Sequence, residues 1–259
     1  MPDKRPAGPA GQQATLLLRL AGPLQSWGMT GQFLLRDTHT QPTKSGVVGM
    51  IAACLGRPRG ADIDDLVRLR MAVRTDQPGT LLHDYHTVSR TDGTTLPTAS
   101  GKKKKDKTAV TDRWYLADAV FLLALTGDRG LIERISDAID RPVYAPVLGR
   151  RSCVPTGRLN LGVHDDDPET LIAEWPWQAG AAQLARTAQT PQLDVTVDDP
   201  RGDDMVPDVP ANFAPLQRGF GNRGTRHCTV TPPHPNPAAD AEPEPIDHDA
   251  FELLEPRCS

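Results

Sequence analysis

Four cysteines in 259 residues are few, and none sits in a CxxC pair or beside histidine at zinc-ligand spacing. That excludes a disulfide framework and a structural zinc module. Cys54, Cys153, Cys228 and Cys258 fit a reducing cytoplasm, and Cys54, inside an apolar helical run, reads as a packed thiol. No run of 18 apolar residues occurs, so no membrane-spanning helix and no membrane partner are expected. The opening MPDKRPAGPAGQQ has no apolar stretch and is expected to be a flexible leader, not a signal peptide. GxSxG, HExxH and a spaced pair of acids are all missing, so no motif compels an enzyme, and neither a cofactor nor a metal is expected. The nearest approach to a nucleotide-phosphate loop is PTKSG. With Lys44 as the lysine, that motif needs glycine at 38 and 43, and both are threonine. RGFG at 218–221 opens like an RNA-recognition signature, but Asn222, Arg223 and Gly224 follow where stacking aromatics belong. The match reads as chance, with Arg218, Arg223 and Arg226 left as phosphate-contact candidates.

Charge and proline are unevenly spread. The formal charge is −4, but residues 231–259 hold seven acids against Arg257, a balance of −6, which leaves +2 on residues 1–230. The basic charge clusters at Lys102–Lys105 and at Arg150 and Arg151. A basic body with an acidic tail fits either an anionic partner or a tail that only keeps the chain soluble. The 25 prolines predict extensive loops, and residues 231–259 have the composition of a disordered tail.

Hydrophobic periodicity gives an order of elements. TLLLRL (15–20) reads as a buried strand interrupted only by Arg19, and the loop GPLQSWG follows. PTKSGVVGMIAACLGRPRG is the clearest helix, capped by Thr43 or Ser45, with Val47, Val48, Ile51 and Leu55 on one face and Gly46, Gly49, Ala52 and Ala53 on another. LRMAVR and LLHDYHTV read as strands. Residues 89–112 lose periodicity and look like an excursion; 113–125 returns as a strand broken near Asp118. Residues 130–140 form a helix with Leu131, Ile132, Ile135 and Ile139 inward, and 143–148 is expected to be the next strand. The sum is an α+β, ferredoxin-like βαββαβ domain over 14–150. A small, mainly β lobe is expected at 151–230, then the tail.

Three stretches carry candidate chemistry. Lys44 and Ser45 stand at a helix start, where free N–H groups and the dipole favour an anion; an ordinary capped end is the alternative, and a small-molecule enzyme using this anion site is the corresponding functional reading. HDYHTVSR (83–90) groups two histidines, a tyrosine and an arginine. Metal-free RNA cleavage through His86, Tyr85 and a lysine is one reading; a strand that merely contacts a partner is the other. The lysine run suits a nucleic-acid backbone or plain solvation.

LLLRLAGPLQSWG, FLLRDT, PTKSGVVGMIAACLGR, DYHTVSR, RWYLADAVFLLAL and RPVYAPVLGRRSC, in this order, resemble the Cas-five (CasD) family of the type I-E CRISPR surveillance complex, Cascade, within the RAMP superfamily. The likeness is close over about residues 14–160 and looser beyond. It implies a ferredoxin-like (RRM/RAMP) domain with a protruding thumb and a small C-terminal β lobe. It implies a non-catalytic subunit that holds the 5′ handle of the CRISPR RNA, caps the Cas-seven backbone, touches the Cas-eight large subunit and meets target DNA only indirectly. In related type I-C systems the Cas-five protein itself cuts precursor RNA, which keeps a metal-independent endoribonuclease as the alternative. On this resemblance Gln25 and Ser26 contact RNA, and Trp27 either stacks on a base or packs on the helix from Lys44. Arg36, Lys44, Ser45, His86, Arg90, Arg113, Arg150 and Arg151 are further RNA contacts, and Lys102, Lys103, Lys104 and Lys105 reach the backbone from the thumb.

Overall fold

The computed structural model describes residues 12–28, 35–90, 92, 94, 108–187, 189–214 and 219–235. The first strand, β1 (Gln13–Ala21), lies inside a seven-stranded sheet. Its alternation explains why: Leu16, Leu18 and Leu20 point into one core, and Leu17 into another on the opposite face. On one side of β1 runs β7 (Val120–Asp128), antiparallel, with β4 (Arg70–Gln77) beyond it; on the other side runs β8 (Asn160–His164). Helix α1 (Lys44–Cys54) lies between β1 and β4 in the chain, and α3 (Arg129–Asp140) between β7 and β8. The two β-α-β segments are therefore interleaved, in the order β4-β7-β1-β8.

Both helices cover the same sheet face. Thr43 caps α1 by accepting from the Gly46 amide at 3.3 Å, which settles the choice between Thr43 and Ser45. At the far end Gly56 takes a left-handed φ of 74°. Its amide donates to Ala53 O and the Arg57 amide to Ala52 O, closing the helix as a Schellman turn. Asp128 caps α3, and Leu131, Ile132, Ile135 and Ile139 are its buried residues, as the periodicity predicts. A short turn, α2 (Asp64–Val67), precedes β4.

Two expectations need correction. Residues 143–148 are not a strand. Pro142 and Pro146 remove two ladder donors, Val143 and Tyr144 are exposed, and β8, some twelve residues later, takes the place beside β1. Nor does a boundary near residue 150 divide two sheets. Helices α4 (Pro168–Glu174) and α5 (Ala181–Arg186) come next. Then β9 (Leu193–Asp198), β10 (Asp204–Asn212) and β11 (Gly219–Val230) extend the same sheet outward from β4, in the order β10-β11-β9-β4. They can join because the β4 edge has no strand of its own unit beyond it.

A second, four-stranded sheet holds β2 (Leu24–Gln25), β3 (Leu35–Arg36), β5 (Thr80–Ser89) and β6 (Thr108–Ala117). The antiparallel pair β5–β6 stays in register over its full length, from Thr80 opposite Ala117 to Ser89 opposite Thr108. The excursion read as 89–112 thus begins earlier and ends later, as a hairpin whose arms are β5 and β6. Asp118, with φ of 56°, is the break that separates β6 from β7. Among the described residues no helix is long and apolar enough to cross a membrane.

Candidate nucleic-acid interface

The GPLQSWG loop places its polar and aromatic side chains inward. Gln25 is fully buried; its Nε2 donates to Leu20 O (3.0 Å) and Ala119 O (2.7 Å), and its Oε1 accepts from Trp27 Nε1 at 3.0 Å. Trp27 is also fully buried and lies on α1 where Gly46 leaves room: a Cβ there would sit 2.7 Å from the indole Cε3. Ser26 is buried, with Oγ donating to Trp114 O. The expectation that Gln25 and Ser26 read RNA is therefore corrected: their groups are spent inside the protein. Of the two readings of Trp27, the structure has the packing one.

Lys44 and Ser45 are likewise turned inward. The Lys44 ammonium lies 2.8 Å from Asp198 Oδ2, and the Lys44 amide donates to Asp208 Oδ2 at 2.8 Å. The start of α1 does hold an anion, but it is the chain's own carboxylate. Arg223 closes the network, with Nε and Nη2 donating to Asp208 at 2.7 and 2.9 Å and Nη1 pairing with Asp198. Two acids face two bases, so no charge is left over for a phosphate. The Ser45 hydroxyl is buried 3.4 Å from Thr43 Oγ1. Arg223 is thus removed from the phosphate candidates; Arg226 is half-buried and paired with Glu169.

Arg150 is half-buried and ties two segments to the second sheet. It donates to Trp114 O (3.1 Å), Arg36 O (2.7 Å) and Asp37 O (3.1 Å), and its guanidinium lies 4.7 Å from the centre of the Tyr115 ring. It holds Arg36 by the backbone and leaves the Arg36 side chain exposed. Arg151 is exposed next to it, and exposed Arg90 donates to Thr94 Oγ1. Lys102–Lys105, Arg218 and most of 89–112 lie outside the described residues, as do 1–11 of the leader and 236–259 of the tail.

What converges is a groove of about 480 Å³ at the root of the β5–β6 hairpin, lined by Leu82, His83, Asp84, Tyr85, His86, Arg113, Tyr115 and Ser152 among others. Strand pairing sets its geometry: Leu82 faces Tyr115, Asp84 faces Arg113 and His86 faces Thr111 across the ladder. On the other face of the hairpin His83 stacks on Trp114, centroids 4.4 Å apart, and its Nε2 lies 2.9 Å from Asp112 Oδ1. Tyr85 is 65% exposed, which presents a free aromatic face. Burial would raise the Tyr115 hydroxyl's pKa, but hydrogen bonds from Ser152, Arg150 and Arg113 and the Arg150 charge outweigh it and hold the group below the ordinary phenol value. Such a pocket favours negative charge on oxygen. His86 and Arg113 were legible in the sequence; Tyr115, Trp114 and Ser152 were not singled out. The alternation of RWYLA against TLLHD was the signal for Tyr115 and Trp114; Ser152 lies outside both strands. No group of three or more metal-ligating side chains occurs among the described residues.

Comparison with known proteins agrees with this architecture. The family model described as CRISPR-associated protein (Cas_Cas5) matches residues 15–226. The CRISPR system Cascade subunit CasD of Escherichia coli (strain K12) is 38% identical over 178 residues, 62% of this chain and 76% of that protein. A chain of a CRISPR RNA-guided surveillance complex superposes with a TM-score of 0.72 at 36% identity, over 85% of this chain and 91% of its own. A solved Cas protein does so at 0.65 and 34%, over 85% and 98%.

Proposed function

The chain belongs to the Cas5 family of CRISPR-associated proteins, and from that premise we propose that it is the Cascade subunit that holds the 5′ handle of the CRISPR RNA. In this reading it caps the Cas-seven backbone, meets the Cas-eight large subunit, and performs no cleavage. The interleaved unit β1-α1-β4 and β7-α3-β8 is its ferredoxin-like domain, the β5–β6 hairpin is its thumb, and β9–β11 correspond to the expected C-terminal lobe, joined edge-on.

The groove at the root of the hairpin carries the proposal. It brings His86, Arg113 and Tyr115 to one face of the strand pair, with exposed Tyr85 at its border, and Arg150 holds the backbone of exposed Arg36 and adjoins exposed Arg151. Cationic and aromatic groups in one groove suit a single strand with splayed bases: phosphates pair with the arginines, and a base stacks on the ring at roughly 1–3 kcal/mol. One observation favours a second reading. His86 and Tyr115 share one face of this groove, with Tyr85 at its border, which is where metal-free cleavage of a phosphodiester would need its acid and base. Against it, Lys44 is spent on Asp198, and no lysine lines the groove among the described residues.

The test is incubation of the full chain with labelled repeat RNA in EDTA, following gel shift and cleavage together, with His86→Ala beside it. Binding without cleavage is expected. Cleavage that His86→Ala abolishes would replace the holding role with that of a processing nuclease.

A further inference from the structure

Arg19 interrupts an otherwise apolar strand and is not part of the hairpin groove. On the sheet face away from α1 and α3 it lies beside Arg74, since both residues pair with Leu122 of β7; two strand spacings separate them, about 10 Å. The two arginines are treated very differently. Arg74 is fully buried, and its donors go to Asp76, Ile172 O, Trp175 O and Pro176 O. Arg19 is half-buried, and among the described residues its guanidinium makes one hydrogen bond, to Gln178 O at 3.3 Å. Its remaining N–H groups open into a groove of about 540 Å³ that Arg186, Gln183 and Asp118 also line. Arg186 is exposed and has no hydrogen-bond or ion-pair partner among the described residues. Burial lowers the Arg19 pKa, with the Asp76 charge opposing it, which is the signature of a cation drawn from water without a full partner.

Three segments run from one groove to the other. Leu24 borders the hairpin groove and Gly22 and Pro23 this one; Tyr115 borders the first and Asp118 the second; Ser152 borders the first and Thr156 the second. Three residues of strand span about 10 Å, so the grooves are neighbours. We propose that Arg19 and Arg186 hold a backbone phosphate of the same single-stranded RNA, continuing its path past the hairpin groove. This rests on the RNA-holding reading above. The guanidiniums supply the paired N–H groups that suit a phosphate oxygen pair. Asp118 limits the groove to a net single positive charge, enough for one phosphate.

The test is fluorescence anisotropy of the full chain with labelled repeat RNA over a salt series. Arg186→Gln, on an exposed helix position, should weaken binding several-fold and lower the log–log salt slope by about 0.7, one single-strand phosphate contact. Asp118→Asn should tighten binding, and asparagine keeps the left-handed backbone there. Arg134→Gln, on α3 across the sheet, should change neither quantity. If Arg186→Gln and Asp118→Asn match the unmodified chain while Arg113→Gln lowers affinity and slope, the second site is wrong and the first stands. If the unmodified chain binds no RNA, both fall.

Discussion

Lys44→Met separates the two roles that this lysine has been given. In the structure its ammonium is the counter-charge of Asp198 at 2.8 Å, with both side chains about nine-tenths buried. Removing one partner of a buried pair costs about 3–5 kcal/mol, because the other charge stays behind in a poor solvent. Asp198 keeps Arg223 and the Met71 amide, which places the loss near the lower end, about 3 kcal/mol. For a chain of this size each kcal/mol moves the melting midpoint by about 2–4 °C, so a fall of roughly 6–12 °C is expected in thermal unfolding followed by circular dichroism. The salt slope of RNA binding, measured below the transition, should be unchanged. A lysine on a phosphate would give the reverse pattern: little loss of stability and a slope lower by about 0.7. A midpoint shift under about 2 °C together with that smaller slope would refute the internal role and restore Lys44 to the RNA site.

Three other outcomes follow from the same contacts. In a spectrophotometric titration, one of the three tyrosines should ionise below the ordinary phenol range, and Tyr115→Phe should remove that step. Because the folded value lies below the unfolded one, this group's contribution to stability is absent below the folded value, grows as pH rises through it and is fully present above the unfolded value. Burial pushes the Cys54 thiol up to about 11, with a backbone hydrogen bond opposing, so at pH 8 roughly a thousandth is thiolate; Cys54 should resist a disulfide reagent in the native state, whereas half-buried Cys228 reacts. Equal rates for the two would show that the core around α1 opens readily. Gly149 has φ of 91°, and any Cβ would run into Ser26 O; Gly149→Ala should cost at least about 2 kcal/mol in denaturant unfolding, and a neutral effect would mean that the Ser26–Gly149 approach is not as close as described.

The fold was legible wherever one segment carried its own signal. Residues 44–54 and 129–140 show their helices through periodicity and caps, and the first also through its terminal glycine, all local features. The failures share a cause: they depended on what lay elsewhere in the chain. Residues 143–148 have strand-like side chains, but a strand also needs a free edge and ladder donors, and Pro142 and Pro146 supply neither. Residues 204–212 form β10 against the signal of Pro207 and Pro210, which is tolerated because β10 is the outermost strand of its sheet. No local pattern states which strand is outermost.

The site shows the same division more sharply. Gln25, Ser26, Trp27, Lys44 and Ser45 stand out in sequence because polar or aromatic side chains beside glycines look available for a ligand. Each is instead taken up inside the protein, three of them by partners far along the chain: Ala119 O for Gln25, Trp114 O for Ser26, Asp198 for Lys44. These contacts fix the loop and the helix start against the second sheet and against β9–β10. Their loss should therefore impair RNA binding indirectly, by letting the groove at the hairpin root deform, and in proportion to lost stability. The groove residues behave otherwise. Tyr85 and His86 gain little from the rest of the protein, so replacing them should change binding at nearly constant stability; Arg113, which also bonds Thr111 and the Tyr115 hydroxyl, should lose some of both. A side chain's free energy is spent either on the fold or on the ligand. Here the quantity that sorts the two sets is the number of internal partners each polar group has found, which composition and spacing do not contain.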